Sequence, residues 1–282
     1  MPTINLMDGF APKLELKMKR SARVWGKGKA KYDWTGLATV KSITPITQTP
    51  NDYNPGATGP RFGALTEVED TLNQYTLQYS KSNNMAIDKT YNTKQKMLKR
   101  AATIMKYQIE QEYVPMMDQQ CLSEYATTSG VVVSVDGSVT KSNVAGFFAA
   151  ARKSFVNYHV NGNGQDLVAW VASSVYEKII QSPEFLNLEK VGTKALVDGA
   201  AGKLAGFQII EMADDDMPEN VNFICANLNV LMNVDKFRTL RILTEHPDVD
   251  GAVLQPHFVY GIFVEKTNVK GVYVSRSQAA SV

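Results

Sequence analysis

Catalysis in this sequence would have to come from three histidines (His159, His246 and His257), two cysteines (Cys121 and Cys225) and a scatter of carboxylates. A metal centre needs His, Cys or carboxylate ligands at short, matched spacings. None of the three histidines stands at such a spacing from a cysteine or from another histidine. The run His246-Pro-Asp-Val-Asp250 comes nearest to a ligand set, but a strand-to-strand turn accounts for the same residues better. Cys121 falls on an apolar helix face, where a thiol packs as a small hydrophobe instead of acting as a nucleophile.

Gly199-Ala-Ala-Gly-Lys-Leu204 has the look of a phosphate loop, but the spacing fails. Such a loop needs four residues between its glycines and a hydroxyl residue after the lysine. Here two residues separate the glycines, and Leu204 holds the hydroxyl position. The carboxylate pairs Glu67/Glu69 and Asp214–Asp216 fall on turns and projections, where solvated faces explain them without acid–base work. No Gly-x-Ser-x-Gly elbow is present. No catalytic, cofactor or metal residue is therefore assigned, and the chain is not expected to be an enzyme.

The elements around these residues are more telling. Residues 1–34 show no sustained period and contain Pro2, Gly9, Pro12, Gly26 and Gly28. They read as an extended arm that becomes ordered by lying on something else. Residues 35–80 read as a long two-stranded excursion. Its outgoing half is rich in Thr, Val and Ile, and its tip, from Thr49 to Arg61, is dense in turn formers. The returning half alternates, with Tyr75, Leu77 and Tyr79 on one face and Gln74, Thr76 and Gln78 on the other. A two-stranded ribbon alone is marginal in water, so this one needs a neighbour.

The strongest helical signal runs over residues 88–128. Leu98, Ala102, Met105, Ile109, Tyr113 and Met116 recur at steps of three or four and form one apolar stripe. Asp88 or Thr90 is placed to cap it. Pro115 removes a hydrogen bond inside the pattern, at about 3 kcal/mol or more, so a kink or restart is expected near Val114. About forty helical residues would reach ~60 Å, the length of a strut.

From Gly130 onward the pattern is mixed α/β. A strand is expected over 131–135, and then a helix with Val144, Phe148, Ala151, Phe155 and Tyr158 on its apolar face. A buried strand over 167–172 follows. The next helix starts at Ser174, where Ser174-Val-Tyr-Glu177 fits a capping box, and stops near Pro183. Later strands are expected over 205–212, 222–226, 239–244, 257–265 and 270–275, with Asp214-Asp-Asp-Met-Pro218 as an acidic turn.

Composition bounds the reading. The chain has 282 residues, 44% hydrophobic and 21% charged, which is ordinary for a folded protein. Residues 1–31 carry eight Lys/Arg against Asp8 and Glu15, a net +6, so the remainder carries −4 within a total of +2. A basic arm of this kind fits contact with nucleic acid or an acidic partner, and equally fits a solvated tail. Trp25, Tyr32 and Trp34 lie among its basic residues, but no sequence-reading DNA motif accompanies them. Two distant cysteines do not make a disulfide framework. No secretory leader is seen, and no stretch approaches the ~18 apolar residues of a membrane span. The protein is expected to be made in a cytoplasm and to need no membrane.

Arm, projecting hairpin, strut helix and α/β lobe follow one another in an order that resembles tailed-bacteriophage coat proteins of the Hong Kong 97 type. Local runs carry the likeness. The helix reads Ile87-Asp-Lys-Thr-Tyr91 and then Gln111-Glu-Tyr-Val-Pro-Met-Met-Asp118, similar to coat proteins whose helix carries Pro followed shortly by Asp. Leu167-Val-Ala-Trp-Val-Ala-Ser-Ser-Val-Tyr-Glu-Lys178 and Ser182-Pro-Glu-Phe185 resemble the strand–helix unit of the axial lobe. Gly202-Lys-Leu-Ala-Gly-Phe-Gln-Ile-Ile210, then Asp250-Gly-Ala and Tyr260-Gly-Ile-Phe-Val264, follow in the expected order.

The resemblance implies an α+β, Hong Kong 97-like capsid fold. Its parts are an N-terminal arm (1–34), an extended β-hairpin loop (35–80), a peripheral domain with the spine helix (81–130 and 238–282) and an axial α/β domain (131–237). It implies a major capsid protein that self-assembles into hexamers and pentamers of an icosahedral head enclosing double-stranded DNA, assembled in the host cytoplasm and carried in the virion. Inter-subunit contacts are expected from Tyr53, Arg61, Phe62, Glu67, Glu69 and Tyr75 of the loop. In the arm they are expected from Lys17, Lys19, Arg20, Arg23, Trp25 and Lys27. Implied partners are further copies of the chain, a separate scaffolding protein, a portal protein, nonspecifically held DNA and, as an open question, a decoration protein. No cofactor is implied. The rival readings are an encapsulin-type nanocompartment shell and a DNA-binding accessory protein acting through the basic arm.

Overall fold

The computed structural model describes residues 18–30, 32–35, 37–56, 58–65, 67–90, 100–135, 139–160, 166–182, 202–244 and 246–277. The chain divides into two compact units, residues 32–77 and the remainder.

The smaller unit is a hairpin. Strands β1 (Thr39–Pro45) and β2 (Asp70–Thr76) pair antiparallel, with Thr39 opposite Thr76 and Pro45 opposite Asp70. Alternation sorts its two faces. Val40, Asn73 and Tyr75 are buried, with the Tyr75 ring stacked 5.8 Å from that of Tyr32. Ile43 and Leu72, on the opposite face, are exposed.

The larger unit holds two sheets. Strands β3 (Tyr79–Ser82), β4 (Met85–Asp88), β10 (Leu231–Leu243) and β11 (Gly251–Val264) form one, with β11 pairing to all three others. The second has six strands in the order β5 (Val131–Val135), β12 (Val272–Ser277), β9 (Val221–Asn227), β6 (Leu167–Ala172), β8 (Phe207–Met212) and β7 (Lys203–Leu204). Every residue of β6 is buried because both faces of this sheet are covered. Leu167, Ala169 and Val171 face a core completed by helices α3 (Val144–Asn157) and α4 (Ser173–Ile180), through Phe148, Phe155, Val175 and Ile179. Val168 and Trp170 face a second core, shared with the long helix and with Tyr260 and Ile262 of β11.

The long helix runs as α1 (Ala101–Gln108), a π-helical turn (Ile109–Tyr113) and α2 (Val114–Thr128). A new α segment begins at Val114, the restart expected there, while the backbone itself stays helical through that residue. The proline is accommodated by the wider turn before it, where the Val114 N–H reaches back to the Ile109 carbonyl. Side-chain spacing explains why that turn is needed. Met105, Tyr113, Met117, Cys121 and Tyr125 are buried at multiples of four residues. At ~100° per residue each step of four overshoots a turn by about 40°, so a plain α-helix would rotate this row off the core. The extra residue of a π turn removes about 100° of that drift. Met117 therefore takes the buried seat expected for Met116.

Asp88 closes β4 and helical residues follow at Lys89 and Thr90, so the helix starts at the expected Asp88 cap, and residues 91–99 lie outside the described residues. Other expectations change. The capping box at Ser174 does not form. The helix starts at Ser173, and the Ser174 N–H is taken by Asp214 Oδ1 of the acidic turn at 3.0 Å. Strand β10 starts at Leu231, eight residues before the expected start, because Asn233, Asp235 and Lys236 break the apolar run while Leu231, Met232 and Val234 are buried. Residues 272–277, grouped by sequence with 238–264, instead pair between β5 and β9 in the six-stranded sheet.

Candidate assembly surfaces

The hairpin concentrates exposed apolar surface. Of fourteen large hydrophobic side chains exposed among the described residues, eight lie between Leu37 and Leu72, including Ile43, Ile46, Leu65 and Val68. At the tip, Tyr53 and Phe62 pack ring to ring at 4.9 Å, and the Asn54 N–H donates to the Arg61 carbonyl at 3.2 Å. Gly63 adopts φ +86°, and a Cβ there would lie 2.5 Å from Asn51 Nδ2, so the turn needs glycine. Phe62 is nevertheless 82% exposed. Arg61, Glu67 and Glu69 are exposed beside it. Tyr75, expected among the loop contacts, is only 4% exposed in the single chain, its ring stacked on Tyr32 inside the hairpin unit.

The described arm residues lie against the body of their own chain. Asp118 of α2 accepts three consecutive amide N–H groups, with Oδ2 taking Arg23 at 2.8 Å and Oδ1 taking Val24 at 3.2 Å and Trp25 at 2.7 Å. Successive amides around one anion make a concavity suited to negative charge. Burial nevertheless pushes the Asp118 carboxyl above the ordinary carboxylate value; Asp216 acts in the same direction and the three amides oppose it. Val24 is fully buried, Trp25 meets Tyr260 edge-on at 5.4 Å, and Trp170 Nε1 donates to the Arg23 carbonyl at 3.2 Å.

Further along, the Gly28 N–H donates to Asn233 Oδ1 at 3.0 Å, while Asn233 Nδ2 donates to the Tyr125 hydroxyl at 2.9 Å. Only glycine fits there, because a Cβ on Gly28 would sit 2.5 Å from the Leu231 carbonyl oxygen. Lys29 pairs with Asp166, whose carboxyl it holds below its ordinary value. Lys19 pairs with Glu110 at 3.7 Å, and the Arg23 guanidinium bonds the Glu211 carbonyl. Arg20 and Lys27 are exposed, and Lys17 lies outside the described residues. A cavity of about 200 Å³ between arm and helix is lined by Lys19, Arg20, Arg23, Pro115, Asp118 and Asp216. Its mixed charge favours no single class of ion.

Sequence reasoning missed Asp118, Asn233 and the Ile43/Leu72 pair. The available signals were a carboxylate beside Met117 on a buried helix face and apolar residues on both faces of the hairpin. Among the described residues no group of His, Cys, Asp and Glu is arranged to hold a metal ion, and no helix is long and apolar enough to cross a membrane. His246 instead closes the β10–β11 turn, accepting the Asp248 N–H at 3.2 Å. Cys121 and Cys225 are both fully buried in different cores, and burial pushes each thiol pKa up.

Several solved structures share the whole fold. A chain of the PhiM1 bacteriophage mature capsid matches with TM-score 0.77 and 11% identity, over 98% of this chain and 93% of that one. A chain of the cyanophage P-SCSP1u capsid matches with TM-score 0.76 and 13% identity, over 98% and 94%. A chain from Mycobacterium phage Che8 matches with TM-score 0.75 and 15% identity, over 98% of each. No protein-family model and no curated protein sequence matches the chain. The chain has a phage-capsid fold, as the order of its elements implies.

Proposed function

We propose that this chain is the major capsid protein of a tailed bacteriophage, a non-enzymatic subunit that builds hexamers and pentamers of an icosahedral head around double-stranded DNA. The observation that carries this reading is the end-to-end fold similarity to chains of phage capsids. The hairpin supports it, because an exposed apolar row on a two-stranded ribbon is a poor end state for a monomer.

In this reading residues 35–80 lie across an adjacent copy through Tyr53, Arg61, Phe62, Glu67 and Glu69, together with Ile43 and Leu72. Residues 131–237, joined by β12, pack about the five- or six-fold axis, and 81–130 with 238–264 form the periphery. Burying an Ile or Leu side chain stabilises by ~1.5–3 kcal/mol. Closed symmetry makes later contacts effectively intramolecular, so modest interfaces suffice. Arg20 and Lys27 remain exposed for nonspecific contact with DNA phosphates. A separate scaffolding protein, a portal and assembly in the host cytoplasm complete the proposal.

Electron microscopy of the expressed protein, alone and with a scaffolding partner, tests it. Shells or capsomer rings are expected, and monodisperse dimers would overturn the reading. Shells filled with protein cargo instead of DNA would favour a nanocompartment. A small oligomer with strongly salt-dependent DNA affinity would favour an accessory protein.

A further inference from the structure

The arm touches the long helix at its irregular turn and again beyond it, on α2. Gln111 Nε2 donates to the Met18 carbonyl at 2.7 Å, and Glu110 pairs with Lys19, so two residues of the π turn itself are engaged. Asp118, just over one turn beyond it, takes the amides of Arg23, Val24 and Trp25. Residues 18–25 thus tie the π turn, the place where the described part of the helix departs from α geometry, to the first turns of α2.

The two halves of the helix are held very differently. Cys121, Leu122 and Tyr125 of α2 are completely buried. In α1 only Met105 is buried. If the π turn closed to α, the helix would gain about 100° of winding, and the halves would rotate against each other by that amount. The well-buried α2 would stay in place and α1 would turn, carrying Met105 out of the core. The sequence supports that second register, because Ala102, Met105, Ile109, Tyr113 and Met116 form an unbroken α-helical stripe.

We propose that residues 18–25 act as a splint across the π-helical turn, with Asp118 as the positioning residue, and that loosening the splint lets α1 rotate into the α-helical register. Arm and helix are then one two-state element, and the position of the arm is read out in the orientation of α1.

Thiol labelling of the full-length chain carrying Met105→Cys tests this, since the native Cys121 and Cys225 are fully buried and report unfolding. With the splint intact, the introduced thiol should react slowly. Adding Asp118→Ala should raise its labelling rate roughly tenfold or more, as for a local opening, while Cys121 and Cys225 stay protected. An introduced thiol that stays protected while hydrogen exchange shows residues 18–30 released would overturn the proposal. If Asp118→Ala exposes the native thiols as well, Glu110→Ala combined with Gln111→Ala replaces it, since that variant cuts only the contacts on the turn. The same criteria then decide, with selective labelling supporting the splint and continued protection overturning it.

Discussion

Ile43 and Leu72 stand directly opposite each other across the hairpin ladder, and both are largely exposed, at 65% and 57%. A directly opposed apolar pair is a unit of sheet stabilisation that buries most of its surface only when something lies over it. Replacing both by Ser should change stability in urea by no more than ~0.5 kcal/mol, the usual range for surface substitutions. Particle yield by sedimentation and electron microscopy should collapse. Particles at the wild-type yield would show that this face is not an assembly surface.

Removal of residues 48–61 takes away the Tyr53–Phe62 pair and the whole tip while leaving β1 and β2 intact. The expected product is a folded subunit, with an unchanged circular dichroism spectrum and a cooperative melt, that fails to form shells. Normal shells would remove the tip from the assembly mechanism.

Two glycine substitutions should act with opposite signs. A Cβ on Gly130 would lie 2.5 Å from the backbone of Val269 and Lys270, neither of which can swing aside. Gly130→Ala should destabilise by about 1–3 kcal/mol, as overpacking does. Gly146, inside α3, has nothing within 4 Å of such an atom. Gly146→Ala should stabilise by about 0.5–1 kcal/mol through helix propensity. Urea unfolding of the two variants decides whether the close approach at Gly130 is as tight as described.

Alkaline pH should unfold the protein through its tyrosines. Burial pushes up the pKa of Tyr79, Tyr113, Tyr125, Tyr260 and Tyr273, that of Tyr260 to about 12. An unfolded tyrosine ionises near 10, so between about pH 10 and 12 the folded chain keeps protons that the unfolded chain has lost. Stability must therefore fall as pH rises through that window. Each such phenol adds to that fall in the same direction. Tyrosinate absorbance should appear together with loss of structure, and Tyr260→Phe should flatten the slope. Ionisation of all these tyrosines in a still-folded chain would contradict the burial argument.

What could be read from sequence follows the physics of each element. The strand over Val131–Val135, the buried strand Leu167–Ala172 and the face of α3 formed by Val144, Phe148, Ala151 and Phe155 emerged where their expected periods placed them, whereas Tyr158, expected on the same face, lies past the helix end and is exposed. The π turn was hidden, since steps of three and four fit an unbroken helix as far as Met116 and only the steps of four through Met117, Cys121 and Tyr125 betray the drift. Strand β10 was cut short because Asn233, a bridge between Gly28 and Tyr125, looks polar and out of place until its partners are known. The arm's seat was illegible for a similar reason. Asp118 binds backbone amides, and backbone amides leave no trace in a sequence.

Strand β12 comes after every other member of the six-stranded sheet in the chain, yet it sits between β5 and β9. During synthesis the sheet must remain split until residues 272–277 have emerged, with β5 on one side of the gap and the remaining strands on the other. A ribosome that stops short of them releases a chain with two unsatisfied strand edges, a substrate for proteolysis. In the shell proposed for this chain one defective copy would spoil many neighbours, so a sheet that closes only on residues 272–277 would screen out chains that lack them before they join.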